Sequence, residues 1–208
     1  LYSCTKMEIF ILINQSDIMN WMDILKRKWQ GELAANRKKS LERTPSIKIK
    51  IPEMSYPKEE KEIPEVLKVM KEKKLEPKEM KDADLKPDIE MFKIVGENRD
   101  DYEDFMLDVN HYAITEKMKY KRPRPFQVSN KIPTTKTTTD DTPAFPSGHS
   151  MLAHGLERVL GRKFPEKKKQ LKQMADRISL SRIQMGSHYP SDIEAGKKIG
   201  YMLGDAYE

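Results

Sequence analysis

Hydrophobic positions along this chain fall into helical period over most of its length and almost nowhere into the period of a strand. After Ser16-Asp17, a pair suited to a helix N-terminus, Ile18, Met22, Leu25, Trp29 and Leu33 recur at helical spacing with Lys and Arg opposite. This predicts an amphipathic helix that packs on the rest of the protein, docks a partner or joins a second subunit. From Thr44 to Pro87 the pattern dissolves into prolines and alternating charge, which predicts an extended arm with one short helix near 64 to 74 and little core of its own. Residues 88 to 119 are again helical, with Phe105, Val109, Tyr112 and Ala113 on one face and Glu116 next on the same side. Further helices are expected from about Ser150 to Leu160, from near Pro165 toward Leu180, and from Pro190-Ser191 to about Tyr207. Only "SIKIKI", at 46 to 51, alternates with period two. The chain therefore reads as all-α, divided into an N-terminal region (1–43), a Pro/Lys/Glu-rich arm (44–87) and a helical domain (88–208).

Composition narrows this picture only a little. At 208 residues the chain can build one domain with a core and carry an appendage. Residues are 37% hydrophobic and 35% charged, and the formal net charge of +6 favours an anionic partner without naming it. The single cysteine, Cys4, leaves no internal disulfide and fits a reducing compartment. No run approaches the roughly 20 apolar residues that span a bilayer, and "IFILI" at 9 to 13 is far too short, so the expectation is a soluble, cytoplasmic protein. The chain opens on Leu1, which leaves the biological start open. Gly196, Gly200 and Gly204 share a face of the last helix and predict a close helix–helix approach inside a bundle.

Three short stretches carry candidate chemistry. "KMKYKRPRPF" (117–126) fits a solvated basic surface, a grip on nucleic-acid phosphates, or a clamp on one small phosphate. "FPSGHS" (145–150) sets a turn directly before a helical run. Outward backbone N–H groups and the helix dipole favour an anion there, with His149 beside it, although a simple capped turn fits too. "SRIQMGSHYPSD" (181–192) holds Arg182, His188 and Asp192. A carboxylate four residues past a histidine can accept its Nδ1 proton and leave Nε2 available to attack, or can form an ordinary ion pair.

Order and spacing join the three. Lys117 and Arg124-Pro125 match K-x-x-x-x-x-x-R-P, residues 146–149 are P-S-G-H, and 181–192 match S-R-x-x-x-x-x-H-x-x-x-D. The set resembles the signature of the phosphatidic acid phosphatase type 2 superfamily, which includes class A acid phosphatases, lipid phosphatases and vanadium-dependent haloperoxidases, over roughly residues 100 to 208. The resemblance implies a helical bundle of the acid phosphatase/haloperoxidase type with an extended charged N-terminal region, and because the signature stretch supplies only about four helices, some of the bundle is expected from upstream of residue 100. It implies a phosphate held by Lys117, Arg124 and Arg182, with Ser147 and the Gly148 backbone as neutral donors. His188 is then the nucleophile, forming a phosphohistidine, Asp192 orients it, and His149 protonates the leaving alcohol. Lys119, Lys121 and Arg122 are expected to set the local positive field, and His111 and His154, which match no motif position, to lie at a helix surface or partly buried.

The leading expectation is thus a metal-independent phosphatase acting on a small phosphorylated substrate, needing no cofactor. Substrate choice is expected from the loop at 126–145, whose Thr and Asp residues suit a polar substrate. Vanadate can occupy the same cradle, as an inhibitor or, in the alternative reading of a vanadium-dependent haloperoxidase, as the cofactor. A non-catalytic nucleic-acid or polyanion binder is the third reading, but it has no use for two histidines and an aspartate at these spacings. A homo-oligomer formed through the N-terminal region is left open.

Overall fold

The computed structural model describes residues 40–133 and 142–208. The amphipathic helix expected over 18–33, and with it any N-terminal contact between copies, lies outside those residues. Among the described residues there is no strand. The chain runs through α1 (Glu59–Glu72), α2 (Pro77–Leu85), α3 (Pro87–Val95), a 3-10 turn (Arg99–Tyr102), α4 (Glu103–Tyr120), the single turn α5 (Pro125–Val128), α6 (Gly148–Lys163), a second 3-10 turn (Pro165–Lys167), α7 (Lys168–Gln184) and α8 (Pro190–Ala206).

The last three helices agree closely with the periodicity, and the upstream half departs from it. The helix expected near 64 to 74 begins earlier, at Glu59, where three glutamates in the first turn suit the positive end of the helix dipole. A second helix, α2, occupies the supposed arm. Its Glu76 N–H is taken by the Glu79 carboxylate at 2.8 Å, a reciprocal cap hidden in what reads as plain charge alternation. The continuous pattern over 88–119 is cut by Gly96, whose left-handed backbone (φ 72°) ends α3, and the Asn98 side chain then caps the 3-10 turn by accepting from Asp100 N–H at 3.2 Å.

"SIKIKI" is neither helix nor strand. Its backbone bonds instead to a row of side chains on α4. Ile47 N–H donates to Asp108 Oδ2 (2.7 Å), Ile49 N–H to the Tyr112 hydroxyl (3.2 Å), and Met54 N–H to the Tyr120 hydroxyl (2.8 Å). Tyr112 in turn donates to the Ile47 carbonyl at 2.9 Å, and Arg43 pairs with Asp108 at 3.0 Å. The periods match, since two extended residues advance about 6.6 Å and four helical residues about 6 Å. The register slips by one residue between Ile49 and Met54.

One core lies between α6, α7, α8, α3 and α4 and holds Met91, Phe105, Met151, Leu156, Leu171 and Ile199, all essentially inaccessible. Helices α6 and α8 touch backbone to backbone. A Cβ added at Gly200 would overlap the Met151 carbonyl oxygen, and one at Gly204 would stand 2.7 Å from the Gly155 carbonyl oxygen, so the glycine face is the contact itself. A smaller cluster, with Val66, Ile132, Ala144 and Tyr189, seats α1 beside the start of α8.

Candidate active site

The three sequence blocks meet at one end of the bundle. Ser147 caps α6 by accepting from Ser150 N–H at 3.3 Å, and its own N–H donates to the Asp192 carbonyl at 2.9 Å, so the second and third blocks are bonded directly. Gly148, the first residue of α6, faces α4, and a Cβ there would approach the Lys117 side chain at 4.0 Å. Lys117, from the last turn of α4, Arg124, at the start of α5, and Arg182, in the last turn of α7, are all buried.

His188 is 1% exposed, with Nδ1 3.2 Å from Asp192 Oδ2. That carboxylate oxygen also accepts from the Tyr189 N–H at 2.9 Å. The other ring nitrogen, Nε2, lies 3.2 Å from Arg124 NH1. A guanidinium can only donate, so Nε2 presents its lone pair and Nδ1 carries the hydrogen. Arg124 is itself fixed by Thr142 (Nε to the carbonyl, 2.9 Å) and by the Ser187 carbonyl (2.8 Å). Lys117 Nζ donates to the carbonyls of Pro143 at 2.5 Å and Ala144 at 3.2 Å.

Opposite stands His149, whose Nε2 is 3.0 Å from the carbonyl oxygen of Asp84. The Asp84 carboxylate accepts from Arg182 NH1 at 2.5 Å. With Nε2 engaged, Nδ1 is the His149 nitrogen left for proton transfer. Burial first, then the surrounding cations, hold both imidazoles well below the ordinary histidine range: Arg182 leads among the cations at His149, and Arg124 at His188. Both rings are therefore neutral near pH 7. Lys117, Thr142, Gly148, His149 and His188 face one cavity of about 870 Å³, whose lining also includes apolar Met106, Val109, Ile114 and Leu152 and charged Glu42, Arg43 and Glu103.

All eight sequence-predicted residues are thus gathered into one end of the fold. Arg122 and His154 are corrections. Arg122 does not feed a positive field, because it is fully buried and neutralised by Asp192 at 2.7 Å and Glu62 at 2.7 Å. His154 is not at a surface; it is 1% exposed, inside a closed polar network. Sequence reading missed Asp84 and Glu62, two acids in a charge-dense stretch where nothing local sets them apart from their neighbours. Among the described residues no group of three or more metal-ligating side chains is assembled, and no helix is long and apolar enough to cross a membrane.

The sequence pattern of the PAP2 superfamily matches residues 107–207. Non-specific acid phosphatases of Salmonella typhi and Salmonella typhimurium are each 32% identical over 100 residues, a match covering 46% of this chain and 40% of theirs. The chain thus spans well under half the length of these curated relatives. Among solved structures, a transmembrane PAP2 type phosphatidylglycerolphosphate phosphatase from Bacillus subtilis aligns over 91% of this chain and 92% of its own, at 16% identity and a TM-score of 0.39.

Proposed function

Because the chain belongs to the PAP2 superfamily, we propose that it hydrolyses phosphate monoesters through a phosphohistidine on His188, without a metal ion. The observation that carries this reading is the buried line Asp192–His188–Arg124, with His188 facing the cavity that also holds His149 and Lys117.

The substrate's phosphoryl group sits between His188 and His149, its non-bridging oxygens taken up by Lys117, Arg124 and Arg182 and by the hydroxyl of Ser147 and the N–H of Gly148 at the α6 N-terminus. Phosphoryl transfer asks mainly for charge stabilisation on those oxygens and for an in-line nucleophile and leaving group. His188 Nε2 forms the N–P bond as the P–O bond to the alcohol breaks, and the His188 Nδ1 proton stays hydrogen-bonded to Asp192. His149 supplies a proton to the leaving oxygen. The arriving dianion offsets the cations that depress the His149 pKa, so binding itself favours the protonated imidazole that this step needs. In the second half, neutral His149 takes a proton from water, the water oxygen bonds to phosphorus, the N–P bond breaks, and phosphate departs. The apolar lining of Met106, Val109, Ile114 and Leu152 receives the alcohol portion and suits an aryl group.

The test is hydrolysis of a small aryl phosphate in excess EDTA, wild type against His188→Ala. Turnover that persists in the chelator and vanishes in the variant is expected. Turnover abolished by EDTA and restored by a divalent ion removes the metal-free mechanism.

A further inference from the structure

Arg122 is the one basic residue of "KMKYKRPRPF" that touches the site's acid rather than its cavity. Its guanidinium is stacked between two rings, 4.1 Å from the Tyr56 centroid and 3.9 Å from that of Tyr189. NH1 donates to Asp192 Oδ1 and to the Ser191 hydroxyl, both at 2.7 Å. NH2 donates to Glu62 Oε2 at 2.7 Å and to the Pro57 carbonyl at 3.2 Å. Glu62 reaches around the same point from α1, accepting the Ser191 N–H at 2.9 Å and the Ser191 hydroxyl at 2.6 Å. The circuit is closed: Glu62 holds Arg122 and the first turn of α8, and Arg122 holds Asp192.

We infer that Arg122, gripped from behind by Glu62, is a positioning residue that fixes the Asp192 carboxylate and through it the His188 imidazole, so that α1 belongs to the catalytic apparatus although it lies upstream of the family match. The inference rests on His188 being the nucleophile. With Oδ1 committed to Arg122, the carboxylate is left with Oδ2 for the Tyr189 N–H and His188 Nδ1, and it cannot rotate without losing a charge-assisted bond. Burial pushes the Asp192 carboxyl up, and Arg122 is the largest influence opposing it. The charged and titratable groups around the guanidinium are Asp192 and Tyr189 from the α8 side, Glu59 (3.6 Å) and Glu62 from α1, and Tyr56 from the arm, with Lys117 acting on Asp192 from farther off. A lysine supplies the charge but not a planar fork that reaches both acids while stacked between rings.

The experiment uses the full chain with Arg122→Lys and Glu62→Gln, and His188→Ala alongside. Three quantities are read: steady-state hydrolysis of an aryl phosphate across pH, inorganic phosphate affinity, and the imidazole nitrogens of His188 by NMR. Both variants are expected to lower kcat roughly 10- to 100-fold, by analogy with loss of the partner that orients a metal-ligating histidine. KM and phosphate affinity should change little, the pH dependence of kcat should move, and the single Nδ1–H form of His188 should be lost. Glu62→Gln reads the circuit without touching the guanidinium, which guards against an Arg122 variant that fails to fold. Folded variants with wild-type kcat, pH dependence and His188 tautomer, beside an inactive His188→Ala, overturn the inference alone. A fully active His188→Ala overturns it together with the mechanism on which it rests.

Discussion

His188 and His154 each bring Nδ1 to a carboxylate, at 3.2 Å from Asp192 and 2.8 Å from Glu157, and both rings are 1% exposed. Their Nε2 atoms differ. The His188 Nε2 faces a guanidinium and keeps its lone pair. That of His154 faces Ser179 Oγ at 3.2 Å; Ser179 spends its hydrogen on Ser150, at 2.9 Å, and Ser150 spends its own on the Ile193 carbonyl, at 3.0 Å. No hydroxyl hydrogen remains for His154 Nε2, so that nitrogen donates to Ser179 and, unlike the Nε2 of His188, presents no lone pair. Tyr201 closes the network by donating to Glu157 at 3.1 Å and meeting the His154 ring edge-on. A histidine beside an acid is thus not in itself a nucleophile. His188 has cations and a cavity beside it, which is what the proposed role asks for, whereas the His154 network ties α6, α7 and α8 together.

Replacing each histidine in turn tests that contrast most severely. His188→Ala should lose turnover by roughly a thousandfold or more, as removal of a nucleophile does. His154→Phe should keep most of its activity and lose on the order of 2 kcal/mol of stability, because Glu157 and Ser179 each lose a buried partner. Steady-state kinetics and denaturant unfolding on the same preparations separate the outcomes, and comparable loss of turnover in both would erase the distinction.

A smaller effect is expected from pH. The folded-state values of His149 and His188 lie below the ordinary 6.5, so the unfolded chain binds more protons in that window. Their contribution to stability is complete above 6.5 and is lost as pH falls toward the depressed folded values. Thermal unfolding should show this loss, and inorganic phosphate should make it shallower by offsetting the cations; a phosphate effect independent of pH would contradict that electrostatic cause.

The smallest change concerns Glu116, on α4 between Tyr112 and Tyr120. Its Oε2 has no hydrogen-bond partner among the described residues, and burial raises its carboxyl above the ordinary 4.5. The unfolded carboxylate ionises first, so stability is lost as pH rises through the folded value. Glu116→Gln should therefore stabilise the protein by about 1 kcal/mol near neutral pH, with the gain fading in acid.

The cradle was legible in the sequence because its residue types stand in three short blocks, each at the end of a helix whose period is plain. What holds the cradle was not. Asp84 and Arg182 are 98 residues apart, Glu62 and Arg122 are 60 apart, and neither acid differs in local pattern from the carboxylates around it. Arg122 was misplaced for a related reason: beside Arg124, two residues away, nothing in "RPRP" says that one guanidinium turns toward His188 and the other toward Asp192. The alternation of "SIKIKI" marked a non-helical segment, and the missing information was that its partner is a helix.

That partnership makes length, more than identity, the quantity selection can see between Ile47 and Met54. Because the arm gives its amide hydrogens to Asp108, Tyr112 and Tyr120, many side chains can be exchanged there without disturbing those bonds. One inserted or deleted residue shifts every later amide by about 3.3 Å and turns each side chain to the opposite face. Among natural relatives of this chain, the segment should vary in letters wherever Ile47, Ile49, Ile51 and Met54 keep an apolar side chain on the core, and hardly at all in count.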